Sequence, residues 1–133
     1  MKRNILLFGL IAILFAMASC SGEQGQKSTE MVFKDGLTHD FGKIQEGSEG
    51  TYEFVFENKG ENSLIIQNVK SSCGCTVPTY PKDPVEKGKT GIIKVKYNTK
   101  RIGAFTKHVT VYSNAKASPI QLNIKGEVLK KEE

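Results

Sequence analysis

The stretch Thr51–Glu57, TYEFVFE, alternates, with Tyr52, Phe54 and Phe56 on one face and Glu53 and Glu57 on the other. Side chains along a strand point to opposite faces in turn, so this period of two marks a strand with one buried side. Asn58-Lys59-Gly60 closes it as a turn. Downstream, Leu64–Lys70 predicts a second strand, its faces unassigned because Leu64-Ile65-Ile66 is continuously apolar, and Cys75–Thr79 predicts a short third. Pro78, Pro81 and Pro84 then exclude regular pairing across a loop ending at Lys87-Gly88-Lys89. Gly91–Tyr97 alternates Ile93, Val95 and Tyr97 against Lys94 and Lys96. Ala104–Ser113 sets Phe105, Val109 and Val111 against Thr106, His108 and Thr110, and Pro119–Val128 aligns Ile120, Leu122 and Ile124. Short strands parted by turn residues, with no helical period among them, predict an all-β, antiparallel β-sandwich of about seven strands. An antibody-type domain is excluded: the chain has no Trp, and Cys73 and Cys75 are too close in sequence to bridge two sheets.

The whole chain has 133 residues, a formal charge of +5, 38% hydrophobic and 25% charged residues. That length supports one domain and excludes a multidomain enzyme or a polytopic membrane protein. Basic residues alternate with acids along the strands instead of gathering with aromatics, which argues against a nucleic-acid partner. Lys2-Arg3 followed by the apolar run Ile5–Ala18 has the form of an export signal. The run is shorter than the ~20 residues that a membrane-spanning helix needs. Met17-Ala18-Ser19-Cys20 resembles a bacterial lipobox, with Met17 where Leu is commoner, and this implies cleavage after residue 19 and lipidation of Cys20. Several acyl chains together anchor a protein stably where one holds it only marginally. Ser21–Thr29 is rich in Gly, Ser and Gln and lacks any large apolar residue, so residues 20–30 are expected to form a flexible tether. The folded domain is expected over 31–129 and a frayed tail over 130–133. No acidic run follows Cys20, which favours a periplasm-facing anchor in the cell envelope of a Gram-negative bacterium.

Reactive groups are few. With Cys20 assigned to lipid, the only thiols left are in Ser71-Ser72-Cys73-Gly74-Cys75-Thr76. Export would place them where disulfides persist. Residues two apart on an extended strand have Cα atoms about 6.6–6.8 Å apart, at the limit of disulfide reach. Gly74 is expected to let the chain tighten, and a Cys73–Cys75 bond formed this way would be strained and easily reduced. Three readings stay open: a structural lock on a turn, a thiol–disulfide exchange site activated by Lys70 or Lys82, and a soft-metal site in which Cys73 and Cys75 bind Cu(I) or Zn. For a closed zinc site, the further ligands would have to come from His39, His108 and carboxylates. His39-Asp40 has no nucleophile motif beside it, and adjacent strand residues face opposite ways, so it reads as a strand-edge or turn pair. His108 reads as a wet surface residue. The segment from Gly42 to Gly50 reads as a loop whose Glu46 and Glu49 are too loosely spaced for calcium. No catalytic residue and no cofactor is assigned.

Several of these segments recur together in a known family. They are His39-Asp40-Phe41-Gly42-Lys43-Ile44, Phe56-Glu57-Asn58-Lys59-Gly60, Ser72-Cys73-Gly74-Cys75-Thr76, Pro84-Val85-Glu86-Lys87-Gly88, Gly103–Asn114 and Leu122-Asn123-Ile124-Lys125-Gly126. Over Phe33–Val128 the chain resembles the bacterial domain-of-unknown-function family 1573, whose members are exported or lipid-anchored and Ig-like, similar to Hydin-type ASH domains. Lys87 departs from the proline common there before the glycine. The resemblance implies an Ig-like sandwich with an envelope address, and no activity. The resulting expectation is a lipid-anchored module with a non-catalytic binding or scaffolding role toward a protein or glycan partner. The alternatives are a thiol-redox or metal-handling protein using Cys73 and Cys75, and a purely structural envelope component.

Overall fold

The computed structural model describes residues 28–132; the leader, Cys20 and most of the expected tether lie outside them. Eight strands follow in chain order: β1 Met31–Phe33, β2 Thr38–Gln45, β3 Thr51–Asn58, β4 Ile66–Ser71, β5 Thr76–Thr79, β6 Thr90–Tyr97, β7 Gly103–Ser113 and β8 Ile120–Leu129. They form two four-stranded sheets, ordered β1-β3-β6-β5 and β2-β8-β7-β4. The all-β sandwich is the architecture that the alternation predicts. Tyr52, Phe54 and Phe56 face inward from β3, opposite Val95, Ile93 and Gly91 of β6. From the other sheet, Val109, Val111, Leu122 and Ile124 close the core, all nearly inaccessible to water. Fully burying each such side chain contributes roughly 1.5–3 kcal/mol.

The structure refines this reading at several points. Among the described residues there are eight strands, because Met31–Phe33 adds a short edge and Thr38–Gln45, which takes in His39-Asp40 and the first residues of the expected Gly42–Gly50 loop, forms a full strand. β2 pairs with β8 in parallel, while the remaining pairs are antiparallel. Hydrophobic alternation reports which face is buried and is silent on strand direction. The β2 register shifts between Asp40 and Lys43, where Gly42 takes φ 63°. Asp40 Oδ1 accepts the Gly42 N–H at 2.8 Å, so Asp-x-Gly is the local code for this bulge. Pro78 lies within β5 rather than in a loop; β5 is an edge strand, where a missing N–H is tolerated. Leu64 sits outside β4, in an isolated bridge to Val85.

The start of the domain also moves. Thr29 is buried, Lys59 N–H donates to Glu30 O, Glu61 N–H to Ser28 O and Lys116 N–H to Thr29 O. Residues 28–30 are therefore part of the folded unit and not of a tether reaching residue 30. Gly60 permits this, because a Cβ there would stand 2.5 Å from Ser28 O and 2.6 Å from Thr29 Cα. The chain thus enters beside the turns following β3 and β7. Residues 46–50, 72–75 and 98–102 and the end of β8 lie at the opposite end.

Candidate functional site

β4 is an edge of one sheet and β5 an edge of the other, so Ser72–Cys75 carries the chain across the sandwich. Cys73 and Cys75 are joined by a disulfide with a Cα–Cα distance of 5.3 Å, inside the ordinary range. The segment is a turn and not an extended strand, so the Cα separation expected to cause strain does not arise. Gly74 does not take a positive φ, and a Cβ there would meet nothing within 4 Å, so the expected need for glycine is absent. Ser71 Oγ donates to Cys73 O at 2.8 Å, Thr76 N–H donates to Cys73 O, and Asn98 N–H donates to Cys75 O. Ser72 exchanges two bonds with His108: its N–H donates to His108 O and its Oγ accepts from His108 N–H.

Cys75 is buried, Cys73 half-buried, and both sulfurs lie 3.8 Å from the Thr76 hydroxyl. Neither lysine expected to activate the pair has its observed contact there. Lys70 lies over the Tyr112 ring and Lys82 over the Tyr80 ring, 3.5 Å from its centroid. Lys96 and Lys100 instead line, with Cys75, Ser48, Glu49 and Asn98, an open cleft of about 580 Å³. Hydrogen bonds tie this end together: Gly47 N–H donates to Thr99 O, Thr99 Oγ1 to Ser48 O at 2.6 Å, and Tyr97 N–H to Gly50 O. Val77 and Ile102, 57% and 55% accessible, are the most exposed large apolar side chains among the described residues, and both belong to this end. Lys96, Lys100 and Arg101 have no ion pair among the described residues.

The histidines lie elsewhere. His39 points inward from β2, stacked on Tyr52 with centroids 3.5 Å apart and edge-on to Phe41 at 4.5 Å. Burial lowers its pKa, and Asp40 opposes that in part. Asp40 points outward to Lys125 at 3.5 Å. The Gly42 N–H holds its carboxyl below the ordinary range against a small opposing effect of burial, and Lys125 adds to the lowering. The pair therefore faces two ways, as adjacent strand residues do. His108 lies on the outer face of β7, its Nδ1 2.7 Å from Asn123 Oδ1. Among the described residues no three His, Cys, Asp or Glu side chains gather as a metal site. In the disulfide form neither sulfur of the proposed soft-metal pair is a thiolate. Thr76, Val77, Lys96, Lys100 and Ile102 were not singled out by sequence as site residues. An apolar Ile102 directly after Lys100-Arg101 in a turn was the one local signal available.

Residues 31–128 match the family described as "Protein of unknown function (DUF1573)". The chain belongs to the DUF1573 family. Comparison with curated proteins returns no match. Among solved structures, the DUF1573 domain is similar to a protein of unknown function from Porphyromonas gingivalis W83, at TM-score 0.66 and 12% identity over 76% of this chain and 47% of that one. It is also similar to the ASH/PapD-like domain 7 of human CEP192, at TM-score 0.65 and 10% identity over 79% of this chain and 89% of that one. A third likeness is to the secreted serine protease VesC from Vibrio cholerae, at TM-score 0.55 and 14% identity over 82% of this chain but 25% of that one. At these identities the likeness is one of fold, an all-β Ig-like sandwich. The chain spans about half the length of the Porphyromonas protein it matches.

Proposed function

We propose that this protein is a lipid-anchored, periplasm-facing Ig-like module of a Gram-negative cell envelope that binds a protein or glycan partner. The observation that carries this reading is the polarity of the sandwich. The chain enters at the Gly60–Lys116 end, and Val77, Ile102, Lys96, Lys100 and Arg101 gather at the opposite end. A module held by a lipid at Cys20 presents that far end outward. Exposed apolar side chains rimmed by cations that have no ion pair among the described residues are a surface suited to recognition. The likeness to a PapD-like domain supports a binding or scaffolding role.

Two experiments test the reading. Labelling with an alkyne fatty acid should mark the wild-type chain and not Cys20→Ser. A photo-crosslinker at Ile102 in envelope preparations should capture a discrete adduct that one placed at Lys116, near the chain entry, does not. Equal capture from both ends, or from neither, would sink the binding proposal independently of the anchor.

A further inference from the structure

We infer that Cys73–Cys75 is a thiol–disulfide exchange site, with Cys73 the sulfur attacked and Cys75 the leaving group. Three observations lead there. First, the bond spans a sequence separation of two. The entropy that a disulfide removes from the unfolded chain grows with the loop it closes, so this one stabilises the fold little by that route. Second, the crossover is held without it. The bonds from Ser71 Oγ and Thr76 N–H to Cys73 O, from Asn98 N–H to Cys75 O, and the pair between Ser72 and His108 all survive cleavage of the sulfur bond. A segment with the same backbone partners in both redox states can cycle without unfolding. Third, the two cysteines are unequal. Cys73 is half-buried and so the more exposed target for an incoming thiolate, whereas Cys75 is only 8% accessible.

Thr76 is 2% accessible, and the two sulfurs 3.8 Å from its hydroxyl are that hydroxyl's side-chain partners among the described residues. Once the bond opens, that hydroxyl can donate to the expelled sulfur. Lys96 and Lys100 line the cleft with Cys75 and outnumber its one carboxylate, Glu49, so the net positive lining favours a thiolate over a thiol. The step balances with an external thiol as reductant. Its thiolate attacks Cys73 Sγ, the Cys73–Cys75 bond breaks, and its electron pair leaves on Cys75, which accepts the Thr76 O–H. A second thiolate attacks the external sulfur of the mixed disulfide and releases Cys73. Two thiols are oxidised to one disulfide, the protein pair is reduced by two electrons, and the two protons end on Cys73 and Cys75.

The test uses the full chain in detergent, glutathione buffers of graded reduced-to-oxidised ratio, acid quenching, alkylation and intact mass. The pair should titrate reversibly in native protein with an unchanged far-ultraviolet circular dichroism spectrum. Cys75→Ser should collect a glutathione adduct at Cys73 on the order of tenfold faster than Cys73→Ser collects one at Cys75. Thr76→Val, which keeps both cysteines, should leave the fold intact and weaken Cys75 as a leaving group, slowing reduction about tenfold at fixed pH. Reduction that begins only once urea has unfolded the chain, equal adduct rates at the two cysteines, or a Thr76→Val rate equal to wild type would each overturn the assignment.

Discussion

Replacing Asn58 with alanine should remove one of the main ties at the chain-entry end of the domain. Asn58 is fully buried at the end of β3, and its side chain makes three bonds. Nδ2 donates to Asn62 O and to Val85 O, both at 2.8 Å, and Oδ1 accepts from Gly60 N–H at 3.0 Å. Those partners lie in the turn after β3 and in the loop before β6, so one amide fastens two irregular segments that are also joined through the isolated Leu64–Val85 bridge. Each net bond is worth about 1 kcal/mol, giving roughly 3 kcal/mol. Val85 O keeps its bond from Leu64 N–H, but the buried Gly60 N–H loses its partner, which adds about another 1 kcal/mol. About 4 kcal/mol is a large share of the ~5–15 kcal/mol stability of an ordinary domain. With a urea slope of about 2 kcal/mol per molar, the unfolding midpoint should fall by about 2 M. Urea titration of the full chain followed by far-ultraviolet circular dichroism measures it. Asn58→Asp, which keeps the acceptor but loses both donors and buries a charge, should be no milder. A midpoint shift below about 0.5 M for Asn58→Ala would show that these bonds do not hold the loops, and the reasoning would fail.

Gly60→Ala should detach Ser28–Glu30, because its Cβ collides with that backbone; hydrogen exchange should show early loss of protection at Lys59, Glu61 and Lys116 while the β6–β7 core is unaffected. Gly74→Ala should change stability by less than about 0.5 kcal/mol, since no positive φ and no neighbour opposes a methyl group; a larger loss would contradict the observed turn. His39 should titrate below 6.5 in the folded protein. The unfolded chain then binds more protons between that folded value and 6.5, so stability falls as pH drops below 6.5, and His39→Phe should flatten the slope in urea titrations at graded pH. A nuclear magnetic resonance titration placing His39 at or above 6.5 would contradict burial as the dominant influence on it.

The inward sets Tyr52-Phe54-Phe56, Ile93-Val95-Tyr97 and Ile120-Leu122-Ile124 were legible in the chain because a period of two is a one-dimensional signal of which face meets the core. The turn at Asn58-Lys59-Gly60, the family motifs and the nearness of Cys73 to Cys75 were equally local. Sequence could not assign the parallel course of β2 beside β8, since direction depends on a partner some eighty residues away. Nor could it place residues 28–30, whose polar composition suggests a tether while Gly60 and three backbone donors hold them. The candidate site divides the same way. Its two cysteines stand out in the chain, but their unequal exposure, the Thr76 hydroxyl beside both sulfurs and the gathering of Val77, Lys96, Lys100 and Ile102 involve the crossover before β5, the strands β5 and β6, and the turn after β6. Those segments meet only because β5 pairs with β6 and β4 crosses to β5. Alternation and turn chemistry are properties of neighbours in sequence, so the chain by itself determined a β-sandwich and its buried faces. Which segments share an end, and which cysteine is the more exposed, depend on long-range pairing, and that only the tertiary structure decided.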